Sequence, residues 1–128
     1  MNLINGELKD DKLHRFLYAT DASAYREMPL GVVYPKDTDD IQKIVCFANE
    51  KHISLIPRAG GTSLAGQVVG SGLVVDISKY MNRILEINLE ERWIRVQPGV
   101  VLDELNLYCK PYGLFFGPET STSNRCCL

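Results

Sequence analysis

The stretch PRAGGTSLAGQ, Pro57 to Gln67, continues directly from the apolar run ISLIP. ISLIP is short, continuous and rich in branched side chains, the pattern of a buried strand. Behind it Gly60, Gly61 and Gly66 clear away side-chain bulk, while Thr62 and Ser63 supply hydroxyls. A run of bare N–H groups makes a concave anion site, so a phosphate group is the ligand this loop suits. Glycines that only turn the chain are the competing explanation.

Upstream, GVVYP forms a short strand closed by Pro35, and the clearest helix of the chain follows. Asp37 or Thr38 caps it, Asp39 and Asp40 stand in its first turn, and Ile41, Ile44, Val45 and Ala48 mark one face. Lys51 and His52 close it, and neither His52 nor His14 is placed as a base or a ligand. Strand, helix, strand is a βαβ unit, which makes GVVYP and ISLIP parallel and sets the glycine loop at the carboxyl end of a strand, where open α/β sheets bind ligands. Further upstream, Leu8, Leu13, Phe16 and Leu17 predict one helical stripe ending near Ala19. The irregular DASAYR segment, including Tyr25 and Arg26, reads as a turn.

Downstream, GLVVDIS is a third strand, and Asp76 at its end reads as a turn former. Ile84–Asn88 and Trp93–Gln97, joined by an acidic turn, predict an antiparallel hairpin stopped at Pro98-Gly99. Residues 100–109 predict a short helix ended by Pro111 and Gly113, and a Thr/Ser-rich tail follows Gly117-Pro118.

Two familiar phosphate devices do not fit. A P-loop needs a lysine before its hydroxyl residue, and Gln67 follows Gly66 here. A dinucleotide fingerprint needs a helix directly after the loop, and the interval QVVGSG is too short and too rich in glycine to be one. What fits is a wide glycine loop joining two strands and wrapping an anion with successive N–H groups.

The 128 residues are 45% hydrophobic and 23% charged with a net charge of −2, which gives no electrostatic case for nucleic acid. No stretch approaches the roughly 20 apolar residues of a membrane span. Cys46, Cys109, Cys126 and Cys127 lack metal-binding spacing and read as reduced thiols in a cytoplasmic protein.

IPRAGGTSLAGQ, GLVVDISKYMNRILEIN, WIRVQPGVVLDELN and GLFFGPETSTSNR, in this order, resemble the FAD-binding domain of the vanillyl-alcohol oxidase / p-cresol methylhydroxylase superfamily. Within it the likeness is to the branch of the D-lactate dehydrogenases and the glycolate oxidase flavoprotein subunit. The resemblance implies an α+β fold: a first subdomain, 1–80, with a small parallel sheet and helices, and the start of a second, 81–128, with an antiparallel sheet. It implies FAD contacts at Pro57, Arg58, Ala59, Gly60, Gly61, Thr62, Ser63, Leu64 and Gln67. A second contacting stretch is implied at Pro118, Glu119, Thr120 and Ser121, where many relatives carry aspartate-proline-serine after the proline. Some members attach FAD through a histidine at the position of Thr62, so the resemblance implies non-covalent binding here. The implied reaction is oxidation of a 2-hydroxy acid by hydride transfer to the flavin. No catalytic residue or metal site is expected, since the residues that hold the substrate in such enzymes lie in later domains. The chain then reads as the N-terminal part of a larger flavoprotein, inactive alone and prone to self-association. A free-standing nucleotide-binding module is the alternative.

Overall fold

The computed structural model describes residues 4–128. One sheet contains β1 (Glu7–Lys9), β2 (Gly31–Tyr34), β3 (Leu55–Arg58) and β4 (Leu73–Asp76) in the spatial order β1-β2-β4-β3. A second sheet is the hairpin of β5 (Ile84–Asn88) and β6 (Trp93–Val96). The helices are α1 (Lys12–Leu17), α2 (Thr38–Lys51) and α3 (Leu102–Cys109).

Strands β2 and β4 are buried along their whole length, as continuous apolar runs in a parallel sheet should be. Successive residues serve opposite faces. Val33, Leu73 and Val75 pack with Ile44 of α2, whereas Val32, Tyr34 and Val74 pack with Tyr18, Ile56 and Tyr80. The βαβ expectation holds, with β2 and β3 both parallel to β4, which lies between them. Helix α2 is capped by the Asp37 carboxylate, which accepts the Asp40 N–H at 2.9 Å, and it ends at His52 in the left-handed region. Its inner face is narrower than predicted: Ile44 and Ala48 are buried, while Val45 lies half exposed on the flank.

Two expectations about the start of the chain are corrected. The predicted single stripe from Leu8 to Leu17 is split, because Asp11 caps α1 through the N–H groups of Leu13 and His14. The residues before it form β1, whose Leu8 stands opposite Val33 of β2. Since β1 runs antiparallel to β2, the first sheet is mixed and not purely parallel. Helix α1, six residues long, buries none of them. The buried Asp40 carboxylate ties this region down, accepting N–H groups from Asn5 at 2.7 Å, Gly6 at 2.8 Å and Lys36 at 2.9 Å.

The hairpin pairs antiparallel as predicted, with an irregularity between Ile84 and Glu86. It shares a core with α3, where Val100, Leu105 and Cys109 meet Ile87, Ile94 and Val96. Helix α3 has no side-chain cap. The chain's tail supplies the acceptors instead: Leu102 N–H donates to the Cys126 carbonyl at 2.9 Å and Asp103 N–H to that of Ser123 at 3.3 Å. All four cysteines are free thiols. Among the described residues no helix is long and apolar enough to cross a membrane.

Candidate functional site

Strand β3 ends at Arg58, and the chain reaches the neighbouring β4 through residues 59–72 with no helix between them. The loop is folded by its own side chains. The Ser63 hydroxyl donates to Gln67 Oε1 at 2.9 Å and accepts the N–H groups of Ala65 and Gln67, each at 3.2 Å. Ser63 and Gln67 thus hold one another across a tight turn, and Leu64 projects from it with 82% of its surface exposed.

The glycines allow the loop to lie close to other parts of the chain. A Cβ on Gly60 would stand 2.5 Å from the Arg125 carbonyl oxygen. Gly61 has φ +63°, and a Cβ there would stand 2.6 Å from Arg58 Nη2. With those approaches made, the N–H groups of Gly61, Thr62, Ser63 and Leu64 donate no hydrogen bond among the described residues. Four consecutive donors without an acceptor suit an anion.

Three of the four residues, Gly61, Thr62 and Ser63, line a cavity of about 270 Å³ whose wall also includes Ala59, Gly60 and Gln67. The far wall is Arg125, Cys126 and Cys127. Pockets that take a whole drug-sized ligand run to roughly 300–1,000 Å³, so this one suits part of a larger molecule. Burial pushes the Cys127 thiol up from its ordinary value, leaving it a neutral wall group and not a nucleophile. The sequence offered no sign of Arg125, Cys126 and Cys127 here: a contact more than 60 positions distant leaves no local pattern.

The other sequence-predicted residues are placed as follows. Pro57 pairs with Val75 inside the sheet, and neither it, Arg58 nor Leu64 lines the cavity. Pro118, Glu119 and Thr120 line a different cavity of about 280 Å³ over α3, with Ser121 exposed beside it. That second wall carries the carboxylates of Asp103 and Glu119 and no Lys or Arg. The structure therefore brings the loop together with residues 125–127, not with 118–121. A larger cavity of about 410 Å³, between the hairpin and α3, is lined mainly by apolar groups such as Trp93, Leu105 and Phe115 and shares no residue with the loop.

Beneath the loop lies a polar cluster. The Tyr18 hydroxyl donates to Asp76 at 2.5 Å, and Asp76 also accepts the N–H and the hydroxyl of Ser78, at 2.8 and 2.6 Å, as a turn former does. Burial, then the bond to Asp76, pushes the Tyr18 hydroxyl far above its ordinary pKa, so it remains a donor. Burial opposes ionisation of Asp21, but the Ser23 hydroxyl, the N–H groups of Ser23 and Val68 and the Arg58 charge prevail, holding its carboxyl below the ordinary value. The Tyr25 ring lies against Gly66, and the Arg26 guanidinium stacks 4.4 Å from the centre of the Phe16 ring.

Comparison with known proteins gives this geometry a setting. A family model described as an FAD binding domain matches residues 29–128. The D-2-hydroxyglutarate dehydrogenase of Pseudomonas putida is 49% identical over 123 residues, which are 94% of this chain and 12% of that protein. The glycolate oxidase subunit GlcD of Bacillus subtilis is 36% identical over 115 residues, 88% of this chain and 24% of that one. Among solved structures, p-cresol methylhydroxylase with substrate bound superposes with a TM-score of 0.71 at 20% identity, over 84% of this chain and 22% of that chain. At that identity the likeness establishes the fold, the α+β architecture expected from the sequence. The chain spans a small part of the length of each.

Proposed function

The chain belongs to the FAD binding domain family, and from that premise we propose that residues 59–63 with Gln67 hold the pyrophosphate of FAD. The observation that carries this reading is the run of four unpaired N–H groups from Gly61 to Leu64, three of them on residues that line a cavity of about 270 Å³. The N–H groups orient and neutralise the anion, the Thr62 hydroxyl adds a donor, and Arg125 adds the cationic residue of the wall. Pro118 to Ser121 form a second contacting stretch in this reading, and the division into subdomains falls near residue 80.

When bound, FAD supplies the hydride acceptor for oxidation of an alcohol. The whole protein is an FAD-dependent oxidoreductase acting on a 2-hydroxy acid, as the names of the dehydrogenase and oxidase relatives support. The chain's own contribution is to bind and orient the cofactor. Among the described residues no group of three His, Cys, Asp or Glu side chains is placed to hold a metal ion. The flavin is held without a covalent bond through this loop, because Thr62 stands where other members carry the attaching histidine. Four free thiols accord with a reducing compartment, and the cytoplasm is the assigned location.

Anaerobic addition of D-2-hydroxyglutarate, D-lactate or glycolate to the FAD-loaded protein tests the reading. At least one of them should bleach the flavin absorbance. A fully loaded protein that stays yellow with all three would contradict the substrate class.

A further inference from the structure

We infer that Arg58 is a positioning residue of the glycine loop and not a ligand of the phosphate, an inference that rests on reading this loop as the pyrophosphate cradle. Arg58 closes β3 opposite Asp76 of β4, at the mouth of the loop, where a cation would ordinarily be assigned to the anion. Its guanidinium is engaged elsewhere. Nη1 donates to the Thr20 carbonyl at 2.7 Å and approaches that of Tyr18 at 3.5 Å. The guanidinium carbon stands 4.9 Å from the centre of the Tyr18 ring.

The same group forms the floor of the loop. A Cβ on Gly61 would lie 2.6 Å from Nη2 and 3.1 Å from Nε, so the Gly61 backbone rests on the plane of the guanidinium. Ala59 to Ser63 all line the cavity and Arg58 does not, while Arg125 stands on the wall. The support is continuous: Asp76 holds the Tyr18 hydroxyl at 2.5 Å, the Tyr18 ring and the Thr20 carbonyl hold Arg58, and Arg58 carries Gly61. A planar, forked cation can donate in its plane and stack on its face at once; an ammonium cannot. Ordering the loop before the ligand arrives removes a cost that binding would otherwise bear.

The test compares the wild-type chain with Arg58→Gln, Arg58→Lys and Tyr18→Phe, using FAD and inorganic pyrophosphate as probes over a range of ionic strength. Both Arg58 variants should weaken both probes by about tenfold, the scale of one lost charged hydrogen bond. The dependence of affinity on ionic strength should stay that of the wild type, because no charge has left the ligand. In ligand-free protein, the backbone order parameters of residues 61–64 should fall in both Arg58 variants, and less in Tyr18→Phe. If the Arg58 variants do not fold, Tyr18→Phe decides, since it keeps the arginine and removes only the bond to Asp76. Two results would overturn the inference: lysine restoring affinity while glutamine flattens the salt dependence, or order parameters unchanged in every folded variant. A wild-type protein whose amides at 61–64 ignore pyrophosphate would instead refute the cradle reading, and the ligand-free order parameters would still judge Arg58.

Discussion

Gly61 shows how one residue is constrained from two directions. Its φ of +63° lies in the left-handed region, and the Arg58 guanidinium occupies the volume that a side chain would need. The glycine therefore serves the packing of the loop on its floor, and the free N–H groups follow from that placement. Its neighbour Thr62 carries a different consequence. A threonine hydroxyl is not a nucleophile suited to bonding the flavin ring, and no histidine lies between Pro57 and Gln67. Acid precipitation of the loaded protein should accordingly release the yellow colour into the supernatant. Colour that stays with the pellet would contradict non-covalent attachment.

Among the elements, β1 pairs with β2, and the residues just before it are tied to a carboxylate on α2. Asp40 is fully buried and accepts three backbone N–H groups, from Asn5, Gly6 and Lys36. Asp40→Ala leaves those part-buried donors without their acceptor and should cost about 1–2 kcal/mol of unfolding free energy. Asp40→Asn retains one acceptor oxygen and should cost less. Urea unfolding measures both, and a loss below about 0.5 kcal/mol for alanine, the scale of an ordinary surface substitution, would contradict this role. The same residue marks where reading the sequence stops short. Helix α2, the strands β2, β3 and β4 and the hairpin were legible because capping residues, apolar runs and an acidic turn are local patterns. Asp40 read only as a helix-dipole residue, since two of its three partners lie 34 and 35 positions away. Strand β1 was missed for the same reason: three residues with one apolar member make no pattern until β2 is beside them. In the site, the glycine loop announced itself, whereas residues 125–127 and the Tyr18–Arg58 support exist only through tertiary contact.

At the scale of the whole molecule, two cores are joined where the tail crosses from one to the other. Residues 122–128 cap α3 and pair with Val101, and the same segment forms the far wall of the loop's cavity. The cavity is thus shared between the strand-β3 end of the first sheet and the segment attached to the second core, an arrangement that a local glycine motif alone would not create. If the loop is the pyrophosphate site, its N–H groups bind the phosphate. Amide chemical shifts of the nitrogen-15-labelled chain, followed during titration with inorganic pyrophosphate, test it most directly. Gly61, Thr62, Ser63 and Leu64 should shift first and saturate together. Shifts confined to Glu119 through Ser121 or to the hairpin, with residues 61–64 unmoved, would contradict it.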